Sequence, residues 1–165
     1  TAVELDDGWQ VAHLSGFGRR WNKGSLRLRG SWRHGDDHVA DGIPISLGIV
    51  EGSAESCNGV AVRVSVEELE RLDWRERDYV RTDVSELITI ESGHVRGRVV
   101  TYVPRPSAVA RYEEARDAGR AAVRRDYWDL VHEGFAGLGP RHVDQLADNT
   151  PAPDVPIADI TIIRD

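Results

Sequence analysis

Residues 58–79, NGVAVRVSVEELERLDWRERDY, decide how we interpret the fold of this chain. The stretch begins with an apolar run in which Val60, Val62 and Val64 alternate with smaller or polar residues. Because successive side chains of a strand point to opposite faces, the three valines predict a strand with one buried face.

A short helix is predicted directly after this strand. Ser65 lies three residues before Glu68, the spacing at which a serine hydroxyl and a glutamate side chain satisfy each other's free amides at a helix N-terminus. Val66, Leu69 and Leu72 follow at helical spacing and predict a narrow apolar stripe.

Glu76 follows the predicted helix and precedes a strand-like segment that begins at Tyr79. A carboxylate at this junction, near Trp74 and Tyr79, can be partly desolvated, which is the environment of a general base. The alternative is a solvated glutamate, or one paired with a neighbouring arginine. Both interpretations are open at this point.

Composition restricts the classes of function. At 165 residues the chain fits one domain with a core of its own, and its net charge of −7 argues against a nucleic-acid partner. The lone Cys57 cannot form an intramolecular disulfide, so we expect a reducing, cytoplasmic location. The sequence shows no signal peptide and no membrane span.

Two polar clusters interrupt this acidic background. A run of cations could hold an anionic ligand, although a solvated face is the simpler interpretation; its members are Arg19, Arg20, Lys23, Arg27, Arg29 and Arg33. His34 and His38, with two aspartates between them, could bind a divalent metal, but Gly35 favours a polar loop.

The order of the remaining elements predicts strands first and helices later. Strands are expected at 9–14 and 45–50, a polar loop at 30–42, and a hairpin of 79–90 with 95–103 about a turn at 91–94. Val123, Tyr127, Val131 and Phe135 predict a long helix, preceded by one from Ser107 and followed by one after Pro140.

We therefore expect an α+β domain at 1–149, a small, mostly antiparallel barrel with helices packed outside it. Residues 150–165 are predicted to be a proline-rich linker and a final strand at 157–163. That strand is expected to pair with an edge of the sheet or with a second subunit in a homodimer, and the sequence leaves both open.

The chain resembles the gamma-glutamylcyclotransferase family, including its glutathione-degrading, cation-transport-regulator-like branch. The resemblance rests on the order of short motifs: the Gly59-Val60 strand, the Leu-rich helix, Leu72-Asp73-Trp74-Arg75-Glu76 and then Tyr79. Upstream, 11–22 is similar to the family's strand and Gly-aromatic-x-Arg-Arg-aromatic turn, and downstream 99–103 and 125–127 are similar to later family segments. The likeness covers about residues 10 to 148.

One family feature is not found ahead of Val11. The family opens with a strand and a Tyr-Gly-Ser-Leu loop whose amides cradle the substrate, whereas Gly24-Ser25-Leu26 follows the Arg-Arg-aromatic motif and lacks the tyrosine. Such a loop encoded upstream would favour an enzyme, and its loss would favour a binding role.

The resemblance implies the same barrel and an intramolecular reaction. The free amine of a gamma-glutamyl group attacks its own γ-carbonyl, which closes 5-oxoproline and expels an amine or amino acid. It implies Glu76 as the general acid–base, Tyr79 and Tyr102 at the wall of the substrate pocket, and no cofactor or metal. Packing of either tyrosine in the core is the competing interpretation.

Two other classes of function stay open. The first is a non-catalytic binding or interaction domain on the same scaffold, because folds persist when their chemistry is lost. The second is a hydrolase or transferase that uses a metal held by His34 and His38.

Overall fold

The computed structural model describes residues 8–91, 95 and 97–163. Its elements, in chain order, are β1 (Trp9–Gly24), β2 (Arg29–His34), β3 (Asp37–Val62), α1 (Val66–Arg75), β4 (Tyr79–Asp83), β5 (Ile88–Ile90), β6 (Val100–Pro104), α2 (Pro106–Asp117), β7 (Ala121–Arg124), α3 (Arg125–Leu138), α4 (Pro140–Asn149), β8 (Ile157–Ala158) and β9 (Thr161–Ile163).

The framework of the fold is a long antiparallel ribbon of β1 and β3. Its register shifts between Ser15 and Phe17, where Gly16 has a φ of 79°. The buried positions of β1 change there from Ala12 and Leu14 to Phe17 and Trp21. An irregularity of this kind bends a strand, which allows one ribbon to contribute to two core clusters.

The described strands form one large, mostly antiparallel sheet with the order β5-β1-β3-β2-β9. Strand β7 pairs parallel with β3, and β8 pairs parallel with β7. Strands β4 and β6 form a separate two-stranded sheet. With its helices this is an α+β fold, as the sequence predicts. Within the described part of the chain the pairings do not close into a barrel, so barrel closure stays a prediction.

The main core lies where the middle of the ribbon meets the helices and β7. Ile43, Ile45 and Val123 are almost completely buried there, and Trp21 and Tyr112 pack against them. A second cluster lies between the ribbon and the chain that follows β4, and it contains Leu14, Phe17, Cys57 and Val84. Cys57 is thus a small core residue with a buried thiol.

The prediction of a buried valine face at 60–64 is wrong. Val60 and Val62 are 49% and 59% exposed, and Val64 is exposed as well. Val60 and Val62 belong to the continuous strand β3, whereas Val64 lies beyond its end. Helix α4 covers the ribbon as far as Asn58, whose side chain donates to the His142 carbonyl. Beyond Asn58 the strand extends past its cover, so alternation in sequence does not produce burial.

The polar loop expected at 30–42 is also wrong. Most of this segment is a hairpin of β2 and the start of β3, with Arg33 opposite His38 and His34 opposite Asp37. Gly35 has a φ of 58°, the left-handed conformation that such a turn requires. The strands are polar because this end of the hairpin is exposed, and an exposed ladder needs no apolar alternation.

The predicted hairpin after Tyr79 is confirmed in part. β4 pairs antiparallel with β6, but β5 pairs with β1 instead of continuing that ladder. Of the turn expected at 91–94, residues 92–94 lie outside the described residues. At Gly48 a Cβ would lie 2.3 Å from Cγ of Pro104, so glycine allows the end of β6 to pack closely on β3.

The three C-terminal helices follow the sequence with one exception. Val123 lies in strand β7, so the helix expected from that residue begins instead at Arg125.

The final strand is interrupted: β8 pairs with β7, and β9 pairs with the edge strand β2 of the same chain. No helix in the described ranges is long and apolar enough to cross a membrane.

Candidate active site

The helix-to-strand junction around Glu76 is built as the sequence predicts. The Glu68 amide donates to Ser65 Oγ at 3.2 Å and the Ser65 amide donates to Glu68 Oε2 at 2.7 Å, so the capping box is complete. Glu76 is the C-cap of α1, and its amide donates to the Leu72 carbonyl at 2.7 Å. The last turn of α1 therefore fixes the backbone of Glu76.

Glu76 lines an open cleft of about 340 Å³ between the end of α1 and the β4–β6 ladder. The predicted residues Tyr79 and Tyr102 line the same cleft, so the structure brings all three together. The complete lining is Asp73, Glu76, Arg77, Tyr79, Arg81, Tyr102 and Arg105.

The hydroxyls of the two tyrosines are both hydrogen-bonded within the protein. Burial raises the pKa of Tyr79 to about 12, and its hydroxyl donates to the Leu47 carbonyl at 3.0 Å. Desolvation and the hydrogen bond to Asp73 raise the pKa of Tyr102 to about 12, with that bond 2.8 Å long. Neither tyrosine is a base near neutral pH, since both keep their protons.

Of the two acids in the cleft, Glu76 has the less saturated carboxylate. Both oxygens of Asp73 have donors, because Tyr102 donates to Oδ1 and Arg81 Nη1 to Oδ2 at 2.6 Å. Glu76 accepts one hydrogen bond, from Arg75 Nε to Oε1 at 2.7 Å, and its Oε2 has no donor among the described residues. Its side chain is 25% exposed and lines the cleft.

The pair of Arg75 and Glu76 is a weak competitor for that carboxylate. Arg75 is 69% exposed, and an exposed ion pair contributes about 0–1 kcal/mol because water screens it and both side chains lose freedom. Glu76 therefore lines a cavity and also pairs with an exposed arginine, so the catalytic interpretation and the ion-pair interpretation each have support.

Asp78, two residues further, has a different environment. Its side chain is 4% exposed and forms ion pairs with Lys23, whose Nζ is 3.0 Å away, and with Arg27. It also accepts a hydrogen bond from the Leu26 amide at 3.3 Å. Burial raises its pKa, but Lys23, the Leu26 amide and Arg27 outweigh burial, and the pKa lies below its usual value. Asp78 thus fastens β4 to the end of β1.

Sequence reasoning missed three arginines of the cleft, Arg77, Arg81 and Arg105. Arg81 pairs with Asp73, whereas Arg105 Nε donates to the Arg77 carbonyl at 2.8 Å. Arg77 lies in the charged segment that follows Glu76, which is the only signal for it. Arg105 comes 28 residues later and is adjacent only because β6 pairs with β4.

The expected cationic cluster at 19–33 is not one surface. Arg19 is buried and donates to Asn149 and Thr150, Arg20 pairs with Glu55, and Arg29 pairs with Asp41. Lys23 and Ser25 line a second cavity of about 290 Å³, on the Tyr127 side of the junction. Alternation along β1 and the turn into β2 separate these cations, so the interpretation as one anion-binding or solvated face is wrong.

The metal interpretation of His34 and His38 receives no support. Both are exposed at the β2–β3 hairpin, and neither faces the other across the ladder. No group of three or more His, Cys, Asp and Glu side chains suited to a metal occurs in the residues described.

Comparison with known proteins adds no assignment: no protein-family model matches the chain, and no curated protein matches it.

Proposed function

We propose that this chain is a gamma-glutamylcyclotransferase, built on the antiparallel barrel scaffold of the family it resembles and acting in the cytoplasm on a small gamma-glutamyl compound. The observation that supports this proposal best is the position of Glu76. It lines an open cleft, and one of its carboxylate oxygens accepts no hydrogen bond from the described residues. The carboxylates of Asp73 and Asp78, in contrast, pair with Arg81 and Lys23.

The reaction needs only one acid–base group. The α-amine of the gamma-glutamyl group attacks its own γ-carbonyl, the new C–N bond closes a five-membered lactam, and the C–N bond to the leaving group breaks. Because nucleophile and electrophile belong to one molecule, orientation supplies effective molarities of roughly 10⁵–10⁸ M. No nucleophile from the protein is required.

Glu76 would move the proton. Its carboxylate takes a proton from the attacking amine and delivers it to the departing nitrogen, so the carboxylate is regenerated and the products are 5-oxoproline and a neutral amine. General acid–base catalysis of this kind contributes about 10²–10⁴ in rate. Tyr79 and Tyr102 would form walls of the site, as protonated side chains held by Leu47 and Asp73.

The experiment measures 5-oxoproline release from glutathione, gamma-glutamyl-alanine and a gamma-glutamyl amine. We expect Glu76→Gln to lose turnover by about 10²–10⁴ while keeping its fold, since the substitution changes the charge and keeps the shape. Glu70→Gln, an exposed glutamate on the same helix, is the matched control and should leave turnover unchanged. A folded wild-type protein without turnover on any of the three would contradict the proposal.

A second candidate is a non-catalytic binding domain, and the pair of Arg75 with Glu76 favours it. In that case the pair would persist and Glu76 would have no chemical role. Titration calorimetry with glutathione separates the two: binding without 5-oxoproline release supports the binding domain, whereas binding with release supports the enzyme.

A further inference from the structure

Two arginines of the Glu76 cleft, Arg77 and Arg105, carry charges that no carboxylate of the described residues neutralises. Arg81 pairs with Asp73, and Arg75 pairs with Glu76. Neither Arg77 nor Arg105 has a carboxylate within ion-pair distance among the residues that the structure describes. In a chain of net charge −7, two such guanidinium groups in one cleft are a local excess of positive charge.

The two side chains are held in place without acids. Arg77 lies over the ring of Trp74, with its Cζ 4.5 Å from the ring centroid. Arg105 donates Nε to the Arg77 carbonyl, and its backbone amide donates to the Asp78 carbonyl at 3.0 Å. Backbone contacts and stacking therefore restrict both groups, while their terminal nitrogens stay available for an anion.

Their position in the cleft indicates which part of a substrate they meet. Arg77 and Arg105 are exposed, whereas Tyr79 and Tyr102 are half-buried and form the inner wall. The reacting atoms of a gamma-glutamyl group need the protected inner part of the cleft beside Glu76. The leaving group must reach solvent, so it extends toward the exposed arginines.

We infer that Arg77 and Arg105 form the subsite that binds a carboxylate on the leaving group. The inference rests on the proposed function. It assigns to these two residues the choice among substrates, with Glu76 supplying the chemistry.

The test compares gamma-glutamyl-alanine with gamma-glutamyl-alaninamide, two substrates that differ only in the charge of the leaving group. Hydrogen bonds between charged groups are worth about tenfold to a hundredfold in an equilibrium, so wild-type kcat/KM should fall by about that factor for the amide. The loss should lie in KM with little change in kcat, because this carboxylate is remote from the bonds that form and break.

Variants then locate the effect. Arg77→Gln and Arg105→Gln should each reduce the preference for gamma-glutamyl-alanine, the double variant should abolish it, and turnover of the alaninamide should stay as in wild type. Arg33→Gln removes an exposed arginine that lines neither cavity and serves as the matched control. A melting curve for each variant checks that it is folded, and Arg77→Gln decides the result should Arg105→Gln unfold.

The outcomes are distinguishable. Equal kcat/KM for the two substrates in the wild type overturns this inference and leaves the proposed function standing. Variants that lose both substrates equally also overturn it, because they place the arginines on the α-carboxylate of the glutamyl group that both substrates share. No 5-oxoproline from either substrate overturns the proposed function, and this inference with it.

Discussion

The inner and outer sides of the α1–β4 junction use the same charged segment in different ways. On the inner side Asp78 is buried and is held by two cations and a backbone amide. On the outer side Glu76 faces an open cleft and pairs with the exposed Arg75. The two acids lie in the same charged run, so their place in the sequence does not separate them. The number of donors that each carboxylate has within the protein separates the structural acid from the candidate catalytic one.

The largest expected change in stability is at Asp78. Asp78→Ala leaves the charge of Lys23 without its partner in a buried position, and we expect the free energy of unfolding to fall by about 3 kcal/mol. Urea denaturation measures it. Glu76→Ala is the comparison and should change the free energy by less than about 0.5 kcal/mol, since it removes only a surface pair. Equal losses at the two sites would break the contrast between them.

The same contrast predicts a dependence on pH. Because the folded-state pKa of Asp78 lies below its unfolded value, the unfolded chain binds more protons between the two values. Stability from Asp78 is therefore complete above the unfolded pKa, near 3.8, and is lost as pH falls through the folded pKa.

Unfolding of wild type and Asp78→Asn from about pH 6 to about pH 2 checks this direction. The difference in unfolding free energy between the two proteins should shrink toward the acid end. A difference independent of pH would show that Asp78 is not held in its charged form by Lys23 and Arg27.

A smaller loss of stability than at Asp78 is expected in the helix that precedes Glu76. Ser65→Ala removes the hydroxyl that accepts from the Glu68 amide, and loss of an N-cap costs about 1 kcal/mol. Ser53→Ala, at an exposed position of β3, should change stability much less. Urea denaturation of both variants measures the difference, and a Ser65→Ala protein as stable as wild type would show that α1 does not depend on this cap.

The helix and the junction could be predicted from sequence because their determinants are local. The Ser65 and Glu68 capping box lies within four consecutive residues and marks the start of the helix, and Glu76 lies at its other end. Val60 and Val62 show the limit of such reasoning. Their alternation predicts a strand correctly, but burial depends on whether another element covers that strand, and Val60 and Val62 are left exposed.

The rest of the candidate site depends on contacts between distant segments. The burial of Asp78 depends on Lys23 and Arg27, about 50 residues earlier. Arg105 enters the cleft because β6 pairs with β4. Pairing of strands that are far apart in sequence leaves no short motif, so the position of Glu76 could be predicted and that of Arg105 could not.

The most direct test of Glu76 as the acid–base group measures turnover and stability on one variant, Glu76→Gln. We predict that 5-oxoproline release falls by about 10²–10⁴ while the free energy of unfolding stays within about 0.5 kcal/mol of wild type. Turnover close to wild type in the folded variant would contradict the assignment of Glu76 as the acid–base group of this cleft.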